Sequence, residues 1–168
     1  AKALLQNDYD TAKKTAVRFN DIFGQDNFYL ELQSNGIEEQ NLVNQGLIRL
    51  SKETGIPLVA TNDAHYLRRS DAKAHEVLLC IQTGKKITDE DRMKFSTDDF
   101  YIKSIEEMSA LFKNVPEALE NTVKIAERCN VKLQFNQLHL PEFRVEGEAE
   151  PFEYLRRLCY EGLAAKEQ

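Results

Sequence analysis

Ile56-Pro57-Leu58-Val59-Ala60-Thr61-Asn62-Asp63-Ala64-His65-Tyr66-Leu67 is the stretch on which the reading of this chain turns. Its apolar start is too short for a helix and suits a strand buried on both faces, as in a parallel sheet. The run stops abruptly at Thr61, so Asp63 and His65 fall just past the strand's C-terminal end. Active sites of α/β folds collect at that edge, where loops are free of scaffold duty. In extended chain, residues two apart point the same way. Asp63 and His65 therefore offer one oxygen and one nitrogen ligand to one point, a donor set suited to a zinc- or manganese-like ion. The plainer alternative is that Asp63 caps the next helix or braces a turn, with His65 a surface histidine.

Outward from this strand, the pattern toward the N-terminus is helix, strand, helix. Residues 8 to 23 read as a helix started by Asp8 or Asp10, with Ala12, Ala16, Phe19 and Phe23 at helical spacing and Gly24 closing it. Residues 28 to 33 read as a strand with Phe28, Leu30 and Leu32 on one face. Ser34-Asn35-Gly36 is a turn, and a helix follows over 37 to 54, ended by Gly55-Ile56-Pro57. This is the rhythm of βα units in a sheet or barrel.

Toward the C-terminus, Ser70 or Asp71 caps a helix that runs to about Thr83, with Gly84 after it. Residues 85 to 99 are charged and irregular, and Phe100-Tyr101-Ile102 is a short strand candidate. Ser104 and Glu107 form a capping-box pattern for a helix over 105 to 113. Pro116 suits the first turn of a helix over 116 to 129. Val131-Lys132-Leu133 is a brief strand candidate. Pro141, Gly147 and several Glu mark 136 to 150 as a connector between domains. A last helix, 151 to about 166, gathers Phe152, Leu155, Leu158, Cys159 and Leu163 on one side, with nothing in the chain to bury that side against.

The 168 residues suffice for one domain or parts of two, with the composition of a folded, water-soluble protein. The net charge of −6 argues against a basic surface able to hold nucleic acid unaided. No run has the roughly 18 apolar residues of a membrane span, and no signal peptide is visible. The first residue is Ala and the last stretch reads as mid-helix, so an excised fragment is expected. Cys80, Cys129 and Cys159 are scattered and read as reduced thiols, with Cys80 and Cys129 as small core residues. Phosphate-loop, dinucleotide and nucleophile-elbow motifs do not occur.

Other candidates have bland readings. His75 lies on a helix within reach of the site and is read as packing against the scaffold. Glu76 is read as solvated and His139 as structural. Glu31 is a buried ion-pair member or a partner that orients a ligand. Lys85, Lys86, Arg92 and Lys94 form a basic cluster among acids, read as a solvated loop.

Longer stretches carry a resemblance. They are Phe28 to Gln33, Ile56 to Leu67, Asp71 to Lys85, Phe100 to Met108, Pro116 to Thr122, Ile125 to Val131 and Leu140 to Phe143. In collinear order, these resemble the bacterial replicative DNA polymerase III α-subunit family over nearly the whole chain. The resemblance implies an α/β fold, a partial distorted (β/α)₇ barrel of the polymerase-and-histidinol-phosphatase (PHP) type. It would comprise residues 1–135, a connector at 136–150 and the first palm helix at 151–168. It implies metal ions at the strand ends, zinc or manganese, with Asp63 and His65 matching the last ligand motif of metal-binding members. Family members that have lost the ligands keep the domain as a scaffold. Relatives often carry His where this chain has Asn35, which is not counted as a ligand.

For the parent protein, the resemblance implies a cytoplasmic DNA-directed DNA polymerase extending DNA from deoxynucleoside triphosphates. Its palm carboxylates and magnesium would lie outside this chain, so no catalytic residue is assigned. The PHP site would hydrolyse phosphodiesters or pyrophosphate, one proposed role being a 3′–5′ exonuclease. Partners implied are a sliding clamp, a proofreading exonuclease subunit and a clamp loader, with no membrane. The alternatives are a non-catalytic PHP scaffold that stabilises the polymerase and docks the proofreading subunit, and a free-standing phosphoesterase. A palm entry after residue 140 speaks against the last.

Overall fold

Two parallel strands, β1 (Leu30–Leu32) and β2 (Leu58–Ala60), form the sheet of a helix-rich α/β structure. The structure is a computed structural model and describes residues 1–143 and 150–166. It divides into two compact units, Ala1–Asn130 and Val131–Gln168.

In the first unit, the chain opens with α1 (Lys2–Leu5) and α2 (Tyr9–Phe23). The Asp8 carboxylate caps α2 by accepting from the Thr11 N–H at 3.0 Å. The crossover from β1 to β2 is α3 (Glu38–Thr54), as a parallel pair requires. Gly55 ends α3 in the left-handed conformation, φ +74°, which glycine adopts without a Cβ penalty. Register pairs Leu30 with Leu58 and Leu32 with Ala60. These four face a core made with Leu50, Ile56, Phe112, Val115 and Ala118. Past β2 lie a 3₁₀ turn (Arg69–Asp71), α4 (Ala72–Thr83), α5 (Ile105–Leu111) and α6 (Glu117–Arg128). The Ser104–Glu107 capping box at α5 is present in both directions. On α6, Asn121 donates through Nδ2 to the Leu58 carbonyl at 2.8 Å, tying the helix to the middle of the core.

Several details differ from expectation. The strand run is buried on one face: Leu58 and Ala60 are buried, Val59 is half-buried and Glu31 beside it is exposed. The first strand spans three residues, because the ladder is limited by its partner, and Phe28 instead packs its ring on Phe19 and Phe23. Tyr101 forms an isolated bridge with Tyr66 and no strand. Pro116 occupies the cap position of α6, one residue before the helix. The short α1 had no sequence signal. Cys80 is buried, but Cys129 is exposed at the end of α6, where the helix has run past the core.

In the second unit, residues 131–143 carry no regular element, so Val131–Leu133 is not a strand. The helix α7 (Pro151–Lys166) has no buried residue. Tyr154 packs against Phe143 at 5.9 Å, and Arg157 pairs with Glu161 at 3.1 Å. Of the expected connector, residues 144–149 lie outside the described residues. Among the described residues, no helix is long and apolar enough to cross a membrane.

Candidate functional site

The chain leaves β2 at Ala60 and continues one step of the ladder, the Thr61 N–H donating to the Leu32 carbonyl at 3.0 Å. Asp63 then turns it, with φ +46°, a left-handed conformation that Asp tolerates better than most residues. His65 is fixed by its backbone N–H, which donates to the Phe100 carbonyl at 2.7 Å. The result places Asp63 Oδ1 and His65 Nε2 3.3 Å apart. Their side chains are 41% and 39% exposed, so both are reachable from solvent. Convergence is therefore achieved by a turn at Asp63 and not by the alternation of an extended strand.

An aromatic wall backs the pair. The His65 ring meets Phe95 edge-on at 4.8 Å and Phe100 at 5.7 Å. His75, half-buried on α4, lies 5.6 Å from the His65 ring and packs on Phe95 and Tyr66. It is thus both a packing residue and the immediate neighbour of the pair. A hollow of about 200 Å³ beside it is lined by Tyr66, Lys73, His75, Glu76, Phe95 and Thr97, among others. Larger hollows, of about 630 Å³ along α2 and about 460 Å³ among α1, α2, β1 and α3, include neither Asp63 nor His65 in their walls.

Glu76 is not simply solvated. It accepts from Arg92 at 2.6 Å, and the Arg92 side chain is only 13% exposed. Lys85 pairs with Asp91 at 2.6 Å. Two of the four members of the basic cluster, Lys85 and Arg92, are thereby neutralised locally. Glu31 is exposed and accepts from the Thr61 hydroxyl at 2.6 Å, so it is not a buried ion-pair member. His139 is exposed.

Under the pair lies a node that sequence reasoning passed over. Asn35, treated as a turn residue, is fully buried. Its Nδ2 donates to the carbonyls of Asn62 at 3.0 Å and Asp99 at 3.1 Å. Its Oδ1 accepts from Gln40 Nε2 at 3.0 Å, and its own N–H donates to Gln40 Oε1 at 2.7 Å. Lys103, only 9% exposed, donates to the Asp99 carbonyl at 2.5 Å and to Asn62 Oδ1 at 3.3 Å. Burial pulls its ammonium below the usual lysine range. Gly36 adopts φ +71°, and a Cβ there would meet the Asp99 carboxylate at 2.9 Å. The available signal was the Asn-Gly pair, which marks a tight turn but not what the turn's side chain holds.

The donor chemistry of Asp63 and His65 fits zinc or manganese as part of a site. Among the described residues, no group of three or more His, Cys, Asp or Glu side chains gathers to hold a metal. Asp63 and His65 are two donors side by side, and structural zinc takes four ligands as a rule.

No family model matches the chain. A DNA polymerase III subunit alpha from Borreliella burgdorferi is 48% identical over 164 residues, covering 96% of this chain and 14% of the relative. The protein of that name from Treponema pallidum is 43% identical over 161 residues, covering 95% of this chain and 14% of the relative. The one from Thermus aquaticus is 41% identical over 167 residues, covering 95% of this chain and 14% of the relative. Identity at this level is spread along nearly all of the chain in relatives from distant bacteria, and the chain therefore belongs to the DNA polymerase III α-subunit family.

Proposed function

We propose that this chain is a segment of a replicative DNA-directed DNA polymerase, a nucleotidyltransferase that extends DNA from deoxynucleoside triphosphates. The observation that carries this is the identity of 41% to 48% with polymerase III α subunits over nearly the whole chain. The chain spans 14% of their length, and on this reading the polymerase carboxylates and their magnesium belong to the remainder. Residues 1–135 are the C-terminal part of a PHP barrel, 136–150 a connector and 151–168 the start of the palm. The protein works in the cytoplasm with a sliding clamp, a clamp loader and a proofreading subunit. Primer extension by the intact subunit tests this reading. A folded protein without that activity would overturn it.

Within that protein, Asp63 and His65 contribute to a divalent-metal site that cleaves phosphodiesters or pyrophosphate. Their 3.3 Å separation at the end of β2 supports this. The metal, when bound, supplies Lewis acidity and an activated water. Asp63 offers an anionic oxygen, and His65 offers a ring nitrogen whose orientation is set by the Phe95 and Phe100 rings. Metal analysis and nuclease assays of the intact subunit, wild type against Asp63→Ala/His65→Ala, decide the matter. Equal metal content in both would sink it. The second reading, a non-catalytic scaffold, is favoured by one observation: the His65 ring packs against the rings of His75, Phe95 and Phe100, as a purely structural histidine would also do.

A further inference from the structure

Lys103 is placed where a lysine costs more than it returns to the core. Taking an ammonium out of water is costly unless strong partners replace the solvent. Here the hydrogen bonds go to two neutral oxygens, the Asp99 carbonyl and Asn62 Oδ1, with the Tyr101 ring 4.9 Å away, and attraction to the Asp99 and Glu107 carboxylates offsets only part of the desolvation. A leucine or methionine would fill the volume without the desolvation. The ammonium must therefore serve the segments it holds, and these are Asn62, directly before Asp63, and Asp99, directly before the Phe100 carbonyl that takes the His65 N–H. Asn35 grips the same two residues from another side, through the backbone carbonyls of Asn62 and Asp99. Neither Asn35 nor Lys103 belongs to the hydrophobic core cluster.

We propose that Asn35 and Lys103 are positioning residues that clamp segment 62–65 onto segment 97–103, so that Asp63 and His65 stand pre-formed as a ligand pair. The inference rests on the reading of that pair as metal ligands. Partners that orient ligands are worth about 10- to 100-fold in metal affinity. The clamp also explains the left-handed turn at Asp63: with Asn62 held at both its carbonyl and its side-chain oxygen, the chain reverses there before the His65 N–H is caught.

The test uses the intact subunit that carries this segment. Amide hydrogen exchange and zinc or manganese affinity, by chelator competition, are compared in wild type, Lys103→Met, Asn35→Ala and Lys103→Arg. The clamp predicts at least about 10-fold faster exchange over 61–66 in Lys103→Met and Asn35→Ala, with α2 unchanged in both and α3 unchanged in Lys103→Met. It predicts about 10-fold or greater loss of metal affinity in the same variants, largely restored in Lys103→Arg. Unchanged exchange over 61–66 overturns the clamp whatever the metal does. Faster exchange with full metal affinity, in a protein whose Asp63→Ala/His65→Ala variant loses the metal, overturns the positioning role and leaves the ligand reading standing. A wild type that binds no metal, or a double variant that binds it equally, overturns the ligand reading and this inference with it. Should Lys103→Met fail to fold, Lys103→Gln, which keeps an amide donor, carries the comparison.

Discussion

Asn35 shows how much one buried side chain can decide. Its amide spends both donors on carbonyls and its oxygen on Gln40, so the side chain has one workable orientation. Asn35→Asp is nearly isosteric but turns an oxygen toward the two carbonyls. We expect a loss of about 3 kcal/mol at neutral pH, the scale of a buried, unsatisfied charged group. Burial and those carbonyls raise the new carboxyl's pKa, so the loss shrinks as pH falls and the group protonates. Urea titrations at pH 7 and pH 4 check both statements. Glu53 behaves in the opposite sense. Hydrogen bonds from Lys13 and then Arg49 hold its carboxyl at about 2, against an ordinary value of 4.5. A lowered folded pKa gives stability that is complete above the unfolded value and is lost as pH falls through the folded one. Between about pH 4.5 and 2, Glu53→Gln should therefore flatten the acid limb of a Tm-against-pH curve. An unchanged limb would contradict this. At this scale the sequence marked Asp63 and His65 as neighbours, because their spacing is local. It could not mark the grip of Asn35 and Lys103 on segment 62–65, because their bonds to Asn62 span 27 and 41 residues.

Helices were legible where their ends carry their own chemistry. Asp8 at α2, Gly55 at α3 and the Ser104–Glu107 box at α5 are local devices that tertiary packing did not override. Gly55 gives a clean measure of such a device, because nothing lies within 4 Å of a Cβ built on it. Gly55→Ala should cost about 1 kcal/mol through backbone strain alone. A stabilisation in denaturant titrations would show that α3 does not need the left-handed stop. Strands were less legible, since a strand exists only through its partner. Val131, Leu133 and Phe135 alternate as well as any strand, yet all three are exposed and unpaired in ladders among the described residues. Phe100 to Ile102 likewise reaches one bridge with Tyr66 and stops. Turn chemistry and periodicity report on a residue's neighbours in sequence, and pairing depends on what arrives from elsewhere.

For the molecule as a whole, apolar surface is the dominant fact. Val77, Leu78 and Ile81 stand exposed on α4, and Phe152, Leu155 and Leu163 on α7. Patches of this kind mark contact surfaces or association-prone faces. The 168-residue chain alone should therefore self-associate, and a single monomeric boundary in sedimentation at micromolar concentration would refute that. It should also fail to retain stoichiometric zinc through gel filtration, because among the described residues no three ligand-type side chains gather to close a tetrahedral site.

Asn121 reaches Leu58 across 63 residues of chain. During synthesis at about 5 to 20 residues per second, β2 emerges some 3 to 12 seconds before the helix that covers it. A nascent chain thus holds β2 uncapped for seconds, with Leu58 and Ala60 open to other strands or to a chaperone. The carboxamide of Asn121 closes that interval, and the order of translation becomes part of how this sheet is protected.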